Sequence, residues 1–464
     1  MNDIPIKNGK ITIKENERLE YKSASKGIPN STWETYSSFA NTFGGTIILG
    51  INDKTHEVEG VPKVDTRVQD IWNSVNNPQV VNKNILYSKS IRTEEVGGKR
   101  LIIIEVPRAD RYTRPIYYKN LETGTFKRNG EGDYRCSMPE IAAMIRDQSS
   151  ASYDSTVLEG TTFNDIDIET LRAYRGEMRV YNPDHMWNRC MDEEFASMIG
   201  AIGHSTNQLT VAGLLMFGKE QVIYSYFPRF KLDYIEYRGR DGPWSYRRVT
   251  GDGLWNGNVF NYFLAVRRRI SDELDIPLEI GKDMRRIADT DVRKAVRECL
   301  LNSLIHADYL GNLVVKIERT SKNIRVMNSG LFRIPIEIAE RGGESDPRNV
   351  VISKMFSLIG FVERAGVGIN YIFKTWEERF GKCPVIEEDT GNQRVIVELN
   401  TDKVENDVDE MIIDEISSDS KTSASKISKR IGVPVPTVKV HIKSMKERGI
   451  LERVGGTRGY WELK

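Results

Sequence analysis

Cysteine is scarce in this chain and unpatterned. Cys136, Cys190, Cys299 and Cys383 are its four, and no two stand in a CxxC pair or at zinc-ligand spacing. That argues against a structural zinc site, and scattered reduced thiols fit a cytoplasmic protein. Long apolar runs are missing too: none approaches the roughly 18 residues that cross a bilayer. The opening MNDIPIKNGKITIKENE is too polar and charged for a signal peptide, so no membrane partner is expected. Charge of one sign is also lacking. The formal net charge is +1, so only its distribution along the chain can point to a partner.

What is present is length without internal repetition. At 464 residues the chain exceeds a single core, and about three domains are expected from size alone. Four blocks emerge. Residues 1–150 mix strands with helices: NSTWETYSSFANTF has Ser31 and Glu34 at capping-box spacing and closes on Gly44-Gly45, followed by the buried strands TIILGIND and KRLIIIEVP. Residues 155–290 form a connecting α/β region with TVAGLLMFG as a buried segment and PRFKLDYIEYRG as an alternating strand. Residues 291–400 hold a polar-striped helix and the hairpin-like NLVVKIERTSKNIRVMNSG. Residues 405–464 make a final module. The boundary before it is a switch of sign: residues 401–419 carry eight acids and one Lys, whereas 420–464 carry eleven Lys or Arg and three acids.

The final module reads as helix, tight turn, helix and two-stranded wing. Gly432 stops the first helix and Pro436 sets the first turn of the second. Val438, Ile442 and Met445 form the apolar face of that second helix. Thr437, Lys439, Lys443 and Lys446 are left for phosphates or base edges, with Arg453 and Arg458 flanking the Gly455-Gly456 wing tip. The module resembles a winged helix-turn-helix of bacterial regulators, which implies DNA as a partner.

In VRECLLNSLIHADYLGN, Glu298, Asn302 and His306 recur every four residues, so one helical stripe carries carboxylate, amide and imidazole. Ala295, Val296, Cys299, Leu300, Ser303, Leu304 and Ala307 take the buried faces. In a nucleotide site, an amide oxygen such as that of Asn302 can ligate Mg²⁺ while the Glu298 carboxylate orients or deprotonates water. Downstream stand Asn328 and Gly330 in NSG, and Gly366 and Gly368 in ERAGVGI, where glycines let backbone amides approach a phosphate. The plain alternative is a polar stripe bonded to a neighbouring loop. In this order and spacing the motifs resemble the GHKL ATPase fold of DNA gyrase and the histidine kinases, and more closely its divergent form in bacterial RecG-like regulators. That resemblance covers about 291–400 and implies an α/β sandwich that binds ATP. Asn328 stands where the family has an adenine-reading Asp, and Phe332 near the place of a second glycine.

Near the start, KENERLEYKSASKG brings Glu15, Glu20 and Lys22, and Asp53 ends TIILGIND. Carboxylates round a divalent ion with a Lys beside them suit metal-dependent phosphodiester cleavage. A spacing of five does not place Glu15 and Glu20 on one face of a strand or helix, so a bend between them is required. ENERLEYK, FANTFGGTIILGIND and EVEGV resemble the Schlafen, or AlbA-like (AlbA_2), domain over about 12–148. The resemblance implies an acidic triad of Glu15, Glu20 and Asp53 holding Mg²⁺ or Mn²⁺, and an AlbA-like dimer, hence a homo-oligomer. In RADRYTRPIYYKNLETGTFKRNG, Arg111, Arg114, Lys119, Lys127 and Arg128 alternate with Tyr112, Tyr117 and Tyr118, a mixture suited to single-stranded or tRNA-like nucleic acid. The expected chain is therefore multidomain α/β (α+β): a nuclease-like or nucleic-acid-binding head, an ATP-binding middle and a DNA-reading tail. A transcription regulator without nuclease activity is the alternative.

Overall fold

The structure is a computed structural model and describes residues 6–7, 10–237, 244–273, 291–312, 314–362, 368–401, 404–447, 449–455 and 459–463. Its head is built on a four-stranded sheet in the order Leu19–Lys22, Gly45–Leu49, Lys99–Val106, Ile91–Val96. The first two strands run parallel, joined across one face by the helix Ser31–Asn41. Ile47, Leu49, Ile102 and Ile104 meet Phe39 and Ala40 of that helix in one core, while Ile48, Leu101, Ile103 and Tyr21 form a second on the opposite face. Burial on both faces explains why GTIIL and RLIIIEV read as continuous apolar runs.

The expected capping box at Ser31 does not form: Asn30 is the N-cap, without a side-chain bond. The glycine stop is real. Gly44 has φ +72° and donates to Phe39 O, and a β-carbon there would stand 2.8 Å from Arg108 N.

A six-stranded mixed sheet organises the middle of the chain, in the order Tyr246–Val249, Leu232–Glu236, Val315–Arg319, Asn323–Ser329, Arg394–Asn400, Val385–Asp389. Strands from both sides of residue 290 share it, and one core runs from Ile166 to Leu399. The separation expected at 290/291 is therefore not a division of the core. Strand Leu232–Glu236 is buried at every position and not alternately: it lies between two other strands, Leu232 and Tyr234 join the core, and Asp233 and Glu236 are buried in ion pairs with Arg247 and Arg269. TVAGLLMFG is a wholly buried helix, Val211–Phe217, capped by Thr210.

The tail has its own core. Val408, Ile412 and Ile416 of the acidic helix Val404–Ser418 pack with Ile427, Val438, Ile442, Met445 and Trp461. The acidic run is thus part of the first helix of the module, with Asp414 exposed and Asp409 buried against His441 Nδ1 at 2.8 Å. No helix among the described residues is long and apolar enough to cross a membrane.

Candidate nucleotide cavity and nucleic-acid interfaces

The helix Asp291–His306 presents its apolar residues to the six-stranded sheet, and all seven residues expected on its buried faces are buried. The polar stripe lines a cavity of about 130 Å³, which takes in Glu298, Asn302, His306, Asn328 and Gly368. Asn302 Nδ2 is buried without a hydrogen-bond partner. Gly368, first residue of the helix Gly368–Phe380, comes so near that a β-carbon would stand 2.2 Å from Glu298 Oε1 and 3.1 Å from Asn302 Nδ2. The close approach that only glycine permits is therefore at Gly368. Gly366 lies outside the described residues.

His306 closes the stripe. Burial, then the Arg348 and Arg333 guanidiniums, pushes its imidazole down to about 4, so it is neutral at physiological pH. Asn328 Nδ2 donates to Ser329 O at 3.1 Å, which leaves the carbonyl end of the amide as an acceptor. Gly330 faces elsewhere: it lines a second cavity, with φ +88°, and a β-carbon there would stand 2.3 Å from Arg348 Nη1. The set suits a nucleotide in kind: the unsatisfied Asn302 Nδ2 can donate to a phosphate or base, the Asn302 oxygen and the Glu298 carboxylate one turn away are the hard donors Mg²⁺ would take, and a glycine opens a helix beside them.

The head's acids are arranged differently from expectation. Glu15 Oε1 accepts from Tyr21 N at 2.7 Å. Burial raises the Glu15 carboxyl above its usual range, opposed by that bond and reinforced by Glu20. Glu20 is 8% exposed and both its oxygens are taken, Oε1 by Lys22 Nζ at 2.5 Å and Oε2 by Arg128 Nη2 at 2.8 Å. Asp53 sits exposed in the turn after the strand. Among the described residues no three such side chains form a group that could hold a metal ion. Glu15, Glu20 and Lys22 lie close enough to act on one another, whereas Asp53 is not among the groups acting on Glu15, and the second Glu20 oxygen is held by Arg128. These residues do not fit a divalent ion.

Most of the expected basic groove is interior. Arg111, Arg114 and Arg128 are 8%, 6% and 0% exposed. Arg128 also holds Asp133 and the Asn16 carbonyl, while Lys127 bonds Glu140 and reaches Thr390 O. Arg111 crosses to Asp346 at 2.5 Å. Only Lys119 and Tyr112 keep the exposed character expected of a groove.

These cations join head to middle. Arg108 forks onto Glu388 at 2.8 and 3.2 Å and donates to Phe332 O. Asp147 receives Arg333 Nη2 at 2.7 Å and Arg348 Nη2 at 2.9 Å. Burial alone would raise its carboxyl, but the Arg348 and Arg333 guanidiniums override it and hold Asp147 well below the usual range. Arg348 in turn donates to His306 O at 2.6 Å, and Asn349 Nδ2 to Ile305 O and Ala307 O, so the end of the striped helix is capped by the segment that grips the head. Asp147, Arg333, Arg348 and Glu388 escaped the sequence reading. Their only signal was charge beside apolar residues, with partners 186–280 positions away.

In the tail, Gly432 caps the helix Ala424–Ile431 with φ 72°, and Ser423 caps its start. The helix Val435–Glu447 buries Val438, Ile442 and Met445 and exposes Thr437, Lys439, Lys443 and Lys446. The strands Leu451–Val454 and Tyr460–Leu463 pair as the wing, with Arg453 over Trp461 at 4.6 Å. Arg458 lies outside the described residues.

An α/β head, an ATPase-like sheet with a polar helical stripe and a basic winged helix define a multidomain, DNA-binding, ATPase-like protein. Family comparisons agree, domain by domain. Residues 15–137 match the model described as "Schlafen, AlbA_2", 314–397 match the model described as "Putative ATP-dependent DNA helicase recG C-terminal", and 405–452 match a winged helix-turn-helix DNA-binding model. Residues 142–233 match a domain of unknown function, DUF8451. Among solved structures, the N-terminal domain of a RecG-related protein of Nitrosomonas europaea is 34% identical, covering 27% of this chain and 87% of that one with a TM-score of 0.21. The DIP2311 protein of Corynebacterium diphtheriae is 16% identical, over 99% of this chain and 97% of that one, with a TM-score of 0.41. No curated protein matches. The winged-helix and AlbA_2 matches support nucleic-acid binding.

Proposed function

We propose that this protein is a nucleotide-responsive nucleic-acid effector, acting as a regulator. Its tail docks on duplex DNA, an adenine nucleotide enters the cavity beside Asn302, and occupancy changes how head and middle are held together. One observation carries the coupling. Asp346 and Arg348 line the nucleotide cavity and also grip Arg111 and Asp147 of the head. The cavity, about 130 Å³, is smaller than the roughly 300–1,000 Å³ of ordinary ligand pockets, so a nucleotide must push its walls outward. Walls that carry the head's ion pairs cannot move without altering them, which is the differential interaction a population shift needs.

In this reading Asn302 would hold the cation through its amide oxygen, Glu298 would orient water and Gly368 would admit the phosphates. Bound Mg²⁺ would supply neutralisation of phosphate charge. Mg²⁺ is assigned to this cavity and not to the head, where Glu20 is already neutralised by Lys22 and Arg128.

A cleaving head is the second reading, favoured by the burial-raised Glu15 carboxyl beside Glu20 and Lys22. It is tested by incubating the protein with tRNA, single-stranded DNA and duplex DNA in Mn²⁺ or EDTA. We expect no metal-dependent cleavage, and cleavage abolished by Glu15→Ala would reverse the preference.

DNA binding by the tail carries its own prediction. Changing Lys439 and Lys443 together to Ala should weaken duplex binding across unrelated sequences. It should also flatten the plot of log affinity against log salt by about 2, since each phosphate that a lysine neutralises adds about 0.9 to the slope. Fluorescence anisotropy over a salt series reads both, and an unchanged slope would place DNA elsewhere on the molecule.

A further inference from the structure

A second cavity, of about 530 Å³, is lined by both head and middle and shares Leu331, Phe332 and Arg348 with the nucleotide cavity. Its walls carry seven cationic side chains and three carboxylates. Five of the seven have acidic partners: Lys127 with Glu140, Arg146 with Asp308, Arg348 with Asp147, Arg111 with Asp346 and Arg394 with Asp389. Among the described residues, the Arg229 guanidinium has only the amide oxygen of Asn312, at 2.5 Å. Arg114 has nothing. It is 6% exposed, its Nε is buried without a partner, and its guanidinium makes no ion pair or hydrogen bond among the described residues.

That solitary charge needs a reason. Burial and then the nearby Arg108 push the Arg114 guanidinium down to about 10, which still leaves it charged at neutral pH. Asp147 and Glu388 lie near enough to act on it, but Asp147 is engaged by Arg333 and Arg348 and Glu388 by Arg108. A buried charge without a hydrogen-bonded counter-ion of its own is strongly unfavourable, and folded proteins almost always supply a partner. Here the chain supplies a cavity instead, wide enough for a nucleotide-sized ligand by the usual range of roughly 300–1,000 Å³.

We propose that this inter-domain cavity binds a small phosphorylated ligand, with its phosphates held by Arg114 and Arg229, independently of the nucleotide cavity beside Asn302. Guanidinium suits the task because its planar donors match phosphate oxygens in pairs. With walls drawn from both head and middle, the ligand would fasten the two together.

Thermal melting and calorimetry on the full chain with inorganic pyrophosphate and with 5′-AMP provide the test, using wild type, Arg114→Gln, Arg229→Gln and Asn302→Ala. Pyrophosphate should raise the melting temperature of wild type and of Asn302→Ala alike. Arg229→Gln, an exposed site that leaves the core untouched, should weaken pyrophosphate binding by roughly tenfold, and Arg114→Gln should abolish it. Without ligand, Arg114→Gln should melt no lower than wild type, since it removes an unpaired charge. Absence of any shift with either probe overturns the proposal, as does a shift that survives both arginine changes or disappears only in Asn302→Ala. A lower ligand-free melting temperature in Arg114→Gln with its pyrophosphate shift intact would make Arg114 purely structural and also overturn it.

Discussion

Asp147→Asn should destabilise the folded chain by about 3 kcal/mol, the lower end of the range for breaking a buried ion pair. The lower end applies because the Asp147 side chain keeps 19% exposure while Arg333 and Arg348 keep 8% and 10%. The asparagine is nearly the same shape, so the loss is electrostatic: two interior guanidiniums lose their shared counter-charge. Urea denaturation followed by tryptophan fluorescence measures it.

The same carboxylate gives a pH dependence of definite sign. Its folded-state value lies below the roughly 3.9 of an unfolded Asp, so its contribution is complete above that value and is lost as pH falls through it toward the folded value. Wild-type stability should therefore decline below about pH 4 more steeply than that of Asp147→Asn. Parallel declines would mean that Asp147 does not hold the junction.

Asn302→Ala should weaken adenine-nucleotide binding by roughly 10- to 100-fold, the equivalent of the ~1.5–3 kcal/mol that a hydrogen bond to a charged group contributes. The unbound protein should lose little, because Asn302 Nδ2 has no partner there to lose. That asymmetry separates a binding residue from a structural one. Calorimetry with ATP and Mg²⁺ on both proteins, beside their melting temperatures, is the check. Equal affinities would leave the stripe as helix surface. Glu298→Ala should keep nucleotide affinity and remove whatever hydrolysis the wild type has.

Local pattern made much of this legible in the sequence. The buried faces of the Asp291–His306 helix follow from its spacing, and the two apolar strands of the head follow from their uninterrupted runs. The tail was legible in still more detail, since Gly432, Pro436 and the Val438-Ile442-Met445 face obey local rules of capping and period. Long-range pairing was not legible. Arg111, Arg114 and Arg128 alternate with tyrosines as they would in a nucleic-acid groove, yet Arg111 answers Asp346 and Arg128 answers Glu20, pairings that no short window contains. The surroundings of Glu20 were hidden for the same reason: an acid beside a Lys looks open to a cation until an arginine more than a hundred residues away takes its second oxygen. The sheet shared across residue 290 was hidden because a strand's partners need not be its neighbours in sequence. Leu232–Glu236 runs parallel to Val315–Arg319, which requires a long crossover that sequence order disguises as a boundary.

Coupling between the nucleotide cavity and nucleic-acid binding is the centre of this account. The most direct test is the affinity of the full-length protein for duplex DNA and for single-stranded RNA at fixed salt, by fluorescence anisotropy, with and without saturating ATP and Mg²⁺. Nucleotide should change at least one of these affinities several-fold, and Asn302→Ala should remove the change while leaving nucleotide-free affinity as it was. Identical affinities with a nucleotide that calorimetry shows to be bound would contradict the account.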